Sequence, residues 1–158
     1  MTGGTTPHGP YVVVDASVAL KWALDDETAV DCAVALRDDA LRGRHTMVAP
    51  SLWVYEVANG LRSATRRGRL TADEGARALE HMLGIGVVLA DPEPRAVLTT
   101  AADLGVSVYD AAYAALADAL SAPQWTGDRH LFDTVRTVTG TVHWIGDYAG
   151  HTSGAQER

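Results

Sequence analysis

Short apolar runs alternate along this chain with longer stretches of helical spacing. YVVV at 11–14, TMVA at 46–49, VVLA at 87–90, QWT at 124–126 and VHWI at 142–145 read as buried strands. After the first run, Val18, Leu20 and Trp22 supply the apolar surface of a helical stretch. The next helix is expected to start near the acids Asp25, Asp26 and Glu27, since carboxylates favour the positive end of a helix. Its apolar positions are Val30, Ala33, Val34 and Leu36, and Gly43 stops it. Pro50 opens a long helix that runs to about residue 67. Thr71 and Glu74 have the spacing of a capping box, and a further helix ends at Gly105. Ala112, Tyr113, Leu116, Ala117 and Leu120 make one apolar stripe, and a short helix covers 129–136. Strands that alternate with helices predict an α/β fold with a central, mainly parallel sheet of about five short strands. The small, polar ends, 1–10 and 149–158, are expected to be flexible tails on a single domain at 11–148.

Composition narrows the class. The chain has 158 residues, 47% of them hydrophobic and 21% charged, which suits one compact core and excludes wholesale disorder. A single cysteine, Cys32, excludes an intrachain disulfide or a cysteine zinc cluster and reads as a small buried apolar residue. The six histidines show no ligand spacing, and His130 reads as a surface residue. Apolar runs fall far short of the ~20 residues needed to span a bilayer, and no charged, apolar leader precedes the domain. A cytoplasmic protein is expected. Thirteen basic against twenty acidic residues give a net charge of −7, which excludes a general nucleic-acid coat protein. The acids at 25–27, 38 and 39 read as a solvated face, and the four tryptophans as core or dimer packing. Arg62, Arg66, Arg67 and Arg69 form the one local concentration of positive charge.

Open parallel sheets bind ligands at the carboxyl ends of their strands, so the polar residues placed there carry the functional question. Asp15 follows YVVV, Asp128 follows QWTG, Asp110 starts the helix after VSVY, and Glu56 lies in the helix after TMVA. Singly, each has a structural role open to it. Asp15 and Asp128 suit N-caps, and Ser107 with Asp110 has the form of a capping box. Together they point further. Glu56 sits among Leu52, Trp53, Val54, Tyr55, Val57 and Ala58, where an unpaired charge is costly. Carboxylates crowded at one sheet edge repel each other unless a cation neutralises them, and hard oxygen ligands select Mg²⁺ or Mn²⁺. Asp147, after the last run, competes for a place in this group, unless the last strand is antiparallel and carries it to the wrong end.

The segments VVVDASVALKW, APSLWVYEVANGL, SVYDAAYAALA and TGDRHLF, in that order, resemble the PIN-domain ribonucleases, most of all the VapC-type toxins of bacterial toxin–antitoxin pairs. The resemblance runs from about Tyr11 to Ile145 and implies a single PIN-like domain. It implies a metal-dependent endoribonuclease that leaves a 5′-phosphate and a 3′-hydroxyl. Its catalytic acids would be Asp15, Glu56, Asp110 and Asp128. By the same resemblance Asp15 and Asp110 are the main metal ligands, with Glu56 and Asp128 acting through water. Ser17 and Thr126 match supporting hydroxyl positions. Asn59, one turn after Glu56, is placed to fix that side chain or to touch RNA. A homodimer and a small antitoxin protein are implied as partners. Arg67 returns to within about 20° of the Glu56 face of its helix, with Arg62 and Arg66 beside it. These three are candidate contacts for RNA phosphates, or equally a solvated helix end. A catalytically silent PIN-like module that binds RNA or protein is the alternative. Phosphoacceptor folds match less well, because Ser17 stands where the haloacid-dehalogenase type needs a second acid, and a receiver domain needs a late lysine whereas the only lysine is Lys21.

Overall fold

Residues 10–150 are described by the computed structural model. The expected tails fall largely on residues 1–9 and 151–158, outside that range. Five strands form one sheet: β1 Tyr11–Val14, β2 Thr46–Ala49, β3 Val88–Leu89, β4 Gln124–Thr126 and β5 Val142–Trp144. Seven helices connect them: α1 Ala16–Leu20, α2 Val30–Leu41, α3 Leu52–Arg66, α4 Ala72–Leu83, α5 Pro94–Leu104, α6 Val108–Leu120 and α7 Arg129–Val135. The strand order is β3-β2-β1-β4-β5 and every pairing is parallel. The chain winds outward from β1 through β2 to β3, then returns to lay β4 on the other side of β1. The switch point of the topology therefore lies between β1 and β4.

Strand residues alternate between two cores, as a pleated strand requires. Val13 and Val48 face a cluster with Trp53, Val57 and Leu61 of α3 and Tyr113, Leu116 and Ala117 of α6, which Ala49 joins at the end of β2. Val12, Val14 and Met47 face the other side, against Val18, Ala33, Leu36 and Ile145. Both faces of the central strands are thus covered, which explains why they read as continuous apolar runs. The run at 87–90, expected to be buried, gives only the two-residue edge strand β3, whose Val88 and Leu89 are exposed. Helix α6 is buried along Ala111–Ala117, and its alanines let α5 pack closely against it.

Two further expectations are corrected, and one question left open is answered. Helix α2 begins at Val30 rather than near residue 25, because Asp26 and Glu27 are drawn out of the helix by ion pairs with Arg69, and Ala29 turns into the left-handed region at φ 57°. Asp39 is not solvated: it is 2% exposed, pairs with Arg44 at 2.7 Å and accepts from the Tyr148 hydroxyl at 2.6 Å. The last strand is parallel, so Asp147 does fall at the carboxyl end of the sheet. It lies exposed in a 3₁₀ turn, Ile145–Asp147, outside the acidic cleft described below.

The capping box at α4 is formed in full. Thr71 Oγ1 accepts from the Glu74 amide at 3.1 Å, and Glu74 accepts from the Thr71 amide at 2.7 Å. Thr71→Ala is expected to lower stability by about 1 kcal/mol in urea unfolding with an unchanged slope. An unaltered midpoint would mean that the cap contributes nothing.

Candidate active site

Each acid of the proposed quartet reaches the same end of the sheet by a different local device. Asp15 ends β1 and caps α1, accepting from the Ser17 amide at 3.0 Å and the Val18 amide at 3.3 Å. The Ser17 hydroxyl also donates to Asp15. Asp128 follows β4 and caps α7, accepting from the Leu131 amide at 3.0 Å. Asp110 stands in the first turn of α6, where its amide donates to the Ser107 hydroxyl at 3.1 Å. Glu56 lies in the second turn of α3 and accepts from the Tyr113 hydroxyl at 2.6 Å. The structural roles weighed for these acids and the clustering are both real. Helix-start amides hold two of the carboxylates in place beside the others.

All four line one cleft of about 60 Å³, together with Ser17, Tyr113 and Leu131. That is room for a few waters or a partly hydrated ion. None of the lining residues is cationic. Burial is the main cause that pushes the Asp15 carboxyl up to about 6, against its hydrogen bonds and with repulsion from Asp128 added. Burial and then the neighbouring Asp110 raise Glu56, apart from the lowering effect of Tyr113. Burial and then Asp128 raise Asp110. Burial and the Glu56 carboxylate hold Tyr113 far above the ordinary phenol value, so it remains a donor.

Ser17 and Thr126 tie these pieces together. Ser17 Oγ accepts from the Gly127 amide at 2.8 Å and stands 3.4 Å from Thr126 Oγ1, which accepts from the Asp128 amide at 3.0 Å. The loop carrying Asp128 is thereby fastened to the helix carrying Asp15. A Cβ at position 127 would lie 2.6 Å from Lys21 Cε and 3.0 Å from the Ser17 carbonyl oxygen, so this close approach needs glycine. The TGD sequence follows from that contact.

Asn59 is exposed and does not hold Glu56, a part taken by Tyr113. Tyr113 was legible only as one residue of an apolar stripe. Its position one turn after Asp110 was the available signal. Arg62, Arg66 and Arg67 are exposed, and Arg62 borders a groove between α3 and α4. His130 is exposed, as expected, whereas Cys32 is only half-buried. Among the described residues no three Asp, Glu, His or Cys side chains converge as a ready-made ion cage.

Fold and site together define the class as a doubly wound α/β domain with an acidic centre at its switch point. Within that class the PIN domain family matches residues 12–137. The chain belongs to this family and is of its VapC type. It is 35% identical over 123 residues to VapC ribonuclease Mb0985 of Mycobacterium bovis, covering 78% of this chain and 90% of that one. Identity to ribonuclease VapC3 of Pyrobaculum aerophilum is 36% over 124 residues, covering 76% and 91%. The crystal structure of PAE2754 from Pyrobaculum aerophilum superposes with a TM-score of 0.65 at 27% identity, covering 87% of this chain and 92% of that one. No helix among the described residues is long and apolar enough to cross a membrane.

The raised carboxyl of Asp15 sets the sign of a pH effect. Its folded value of about 6 lies above the ordinary 3.8, so the folded state binds the proton more tightly, and stability falls as pH rises between those values. Asp15→Asn, which keeps the cap, is expected to be more stable than the parent at pH 7 by on the order of 2–3 kcal/mol. The gain should shrink towards pH 4. A gain that stayed constant across this range would show that Asp15 carries no such strain.

Proposed function

We propose that the chain is a Mg²⁺- or Mn²⁺-dependent endoribonuclease, the toxin of a toxin–antitoxin pair. The observation that carries the reading is that Asp15, Glu56, Asp110 and Asp128 line one cleft with no cationic residue in its lining. The donor set fits a hard divalent ion. Three of the carboxyls are raised by burial, and like charge adds to the rise in each, a cost that a cation relieves. As the family resemblance implies, the ion would be held directly by Asp15 and Asp110 and through water by Glu56 and Asp128. Such partial ligation suits Mg²⁺, which keeps much of its water.

When bound, the ion supplies a water acidic enough to attack at neutral pH and neutralises charge on the phosphate oxygens. The protein does the rest. Glu56, fixed through one oxygen by Tyr113 and raised in proton affinity, has its other oxygen free to take the proton of the attacking water. Ser17 and Thr126 keep Asp15 and Asp128 in register across the cleft. The resemblance implies that the in-line attack breaks the bond from phosphorus to the 3′-oxygen, which leaves as the 3′-hydroxyl while the phosphate stays on the 5′-oxygen. Arg62, Arg66 and Arg67 neutralise phosphates further along the strand. An antitoxin protein covers the acidic cleft, with a basic side chain answering its charge, and two copies of the chain form a homodimer. The relatives named ribonucleases support this reading over a silent binding module, as does the presence of all four acids.

Purified protein incubated with total RNA and Mg²⁺ or Mn²⁺ is expected to yield discrete fragments, lost with EDTA. Asp15→Asn and Asp110→Asn should each lower the rate by at least about 10²-fold without unfolding the chain. Unchanged turnover by either variant would remove the proposed centre. Metal-independent RNA binding without cleavage would instead favour the silent module. Arg67→Ala is expected to weaken RNA affinity and flatten its salt dependence by about one charge, with the rate at saturation preserved. A loss confined to that saturated rate would contradict the phosphate contact.

A further inference from the structure

We propose that Tyr55 and Tyr109, beside the acidic cleft, form a nucleobase subsite that stacks an unpaired base of the RNA next to the cleaved phosphate. The proposal rests on the ribonuclease reading above and adds to it the means by which the strand is seated. Tyr55 is 79% exposed and Tyr109 68% exposed, far more than aromatic side chains with a packing role. They come from different helices, α3 and α6, and each immediately precedes an acid of the cleft, Glu56 and Asp110. Both line one groove of about 600 Å³, with Asn59 and Ser107 as polar edges. Glu56 and Asp110 line this groove as well as the acidic cleft, so the two are continuous. That continuity selects the occupant. A strand whose phosphate lies in the cleft must lay its neighbouring nucleotide along the groove.

Charge gives a second, independent reason. The chain carries a net charge of −7 and four acids at the cleft itself, so long-range attraction for RNA is weak there. Stacking on aromatic faces supplies affinity that does not depend on charge and tolerates any base. Tyr55, Asn59, Arg62 and Arg66 recur at i, i+4, i+7 and i+11 along α3, and all are exposed. One face of the helix thus leads from the aromatic groove to the arginines, the arrangement expected of a single-strand track.

The test uses the full chain carrying Asp15→Asn, which does not cut, and a short single-stranded oligoadenylate containing 2-aminopurine. Binding should quench the 2-aminopurine fluorescence. Tyr55→Ala and Tyr109→Ala should each weaken binding about tenfold and remove the quenching while leaving the salt slope unchanged, and Tyr55→Phe should keep both. In the chain with Asp15 intact, the same alanine variants should raise KM for RNA cleavage more than they lower kcat. Equal affinity, quenching and KM in parent and alanine variants would overturn the subsite while leaving the nuclease reading standing. Variants that turn a dimer into monomers in sedimentation, with unchanged RNA affinity per chain, would overturn it in favour of a second copy covering the tyrosines. No cleavage of RNA by the chain with Asp15 intact and no binding by the Asp15→Asn chain would remove the nuclease reading and the subsite together.

Discussion

Like charges held together at one end of a parallel sheet are the constraint around which this molecule is arranged. Asp15, Glu56, Asp110 and Asp128 repel one another in a cleft with no cationic lining, and burial deepens the cost for at least three of them. The fold meets this with directed hydrogen bonds. The first amides of α1 and α7 grip Asp15 and Asp128, and Tyr113 grips Glu56. Such groups hold the carboxylates in place without neutralising them, and the remaining charge is what a divalent cation can use. A lysine or arginine inside the cleft would lower the repulsion and compete with the ion.

The distances among the acids depend on close contacts elsewhere in the chain. Helix α1 approaches α3 so tightly that a Cβ at Gly60 would stand 2.3 Å from Leu20 Cδ1. That contact ties the helix capped by Asp15 to the helix bearing Glu56. On the other side, the Ser17 hydroxyl joins α1 to the Gly127 amide, and Lys21 packs over Gly127. Lys21 is itself buried and donates to the Thr28 carbonyl oxygen at 2.7 Å, and its charge is felt by both Glu27 and Asp15 from outside the lining of the cleft. The site is therefore positioned by glycines and small hydroxyls as much as by the acids.

The alternation of short apolar strands with helical spacing made the fold readable. TMVA and QWT gave β2 and β4 without error, because flanking proline or glycine punctuates both. Glu56 announced itself as a carboxylate in an apolar run, and the folded chain half-buries it beside Asp110. What stayed hidden depended on partners far along the chain. The start of α2 moved because Arg69, 43 residues after Asp26, takes the acids that local rules assign to a helix N-terminus. Asp39 looked solvated because Tyr148 lies 109 residues away. Tyr113 looked apolar because its hydroxyl meets Glu56 across 57 residues.

Helix α3 shows how one amphipathic element can answer core, chemistry and substrate at once. Trp53, Val57, Leu61 and Ala64 form its buried stripe. Glu56 lies about 100° away on the side of the cleft, and the exposed positions from Tyr55 to Arg66 occupy a third direction. Eleven residues at a rise of about 1.5 Å separate the aromatic and basic ends of that exposed line by roughly 16 Å, the reach of a few nucleotides. The chain's net acidity and its action on RNA are compatible for this reason. Positive charge is kept at the far end of the helix, where it can meet phosphates without neutralising the carboxylates that hold the ion.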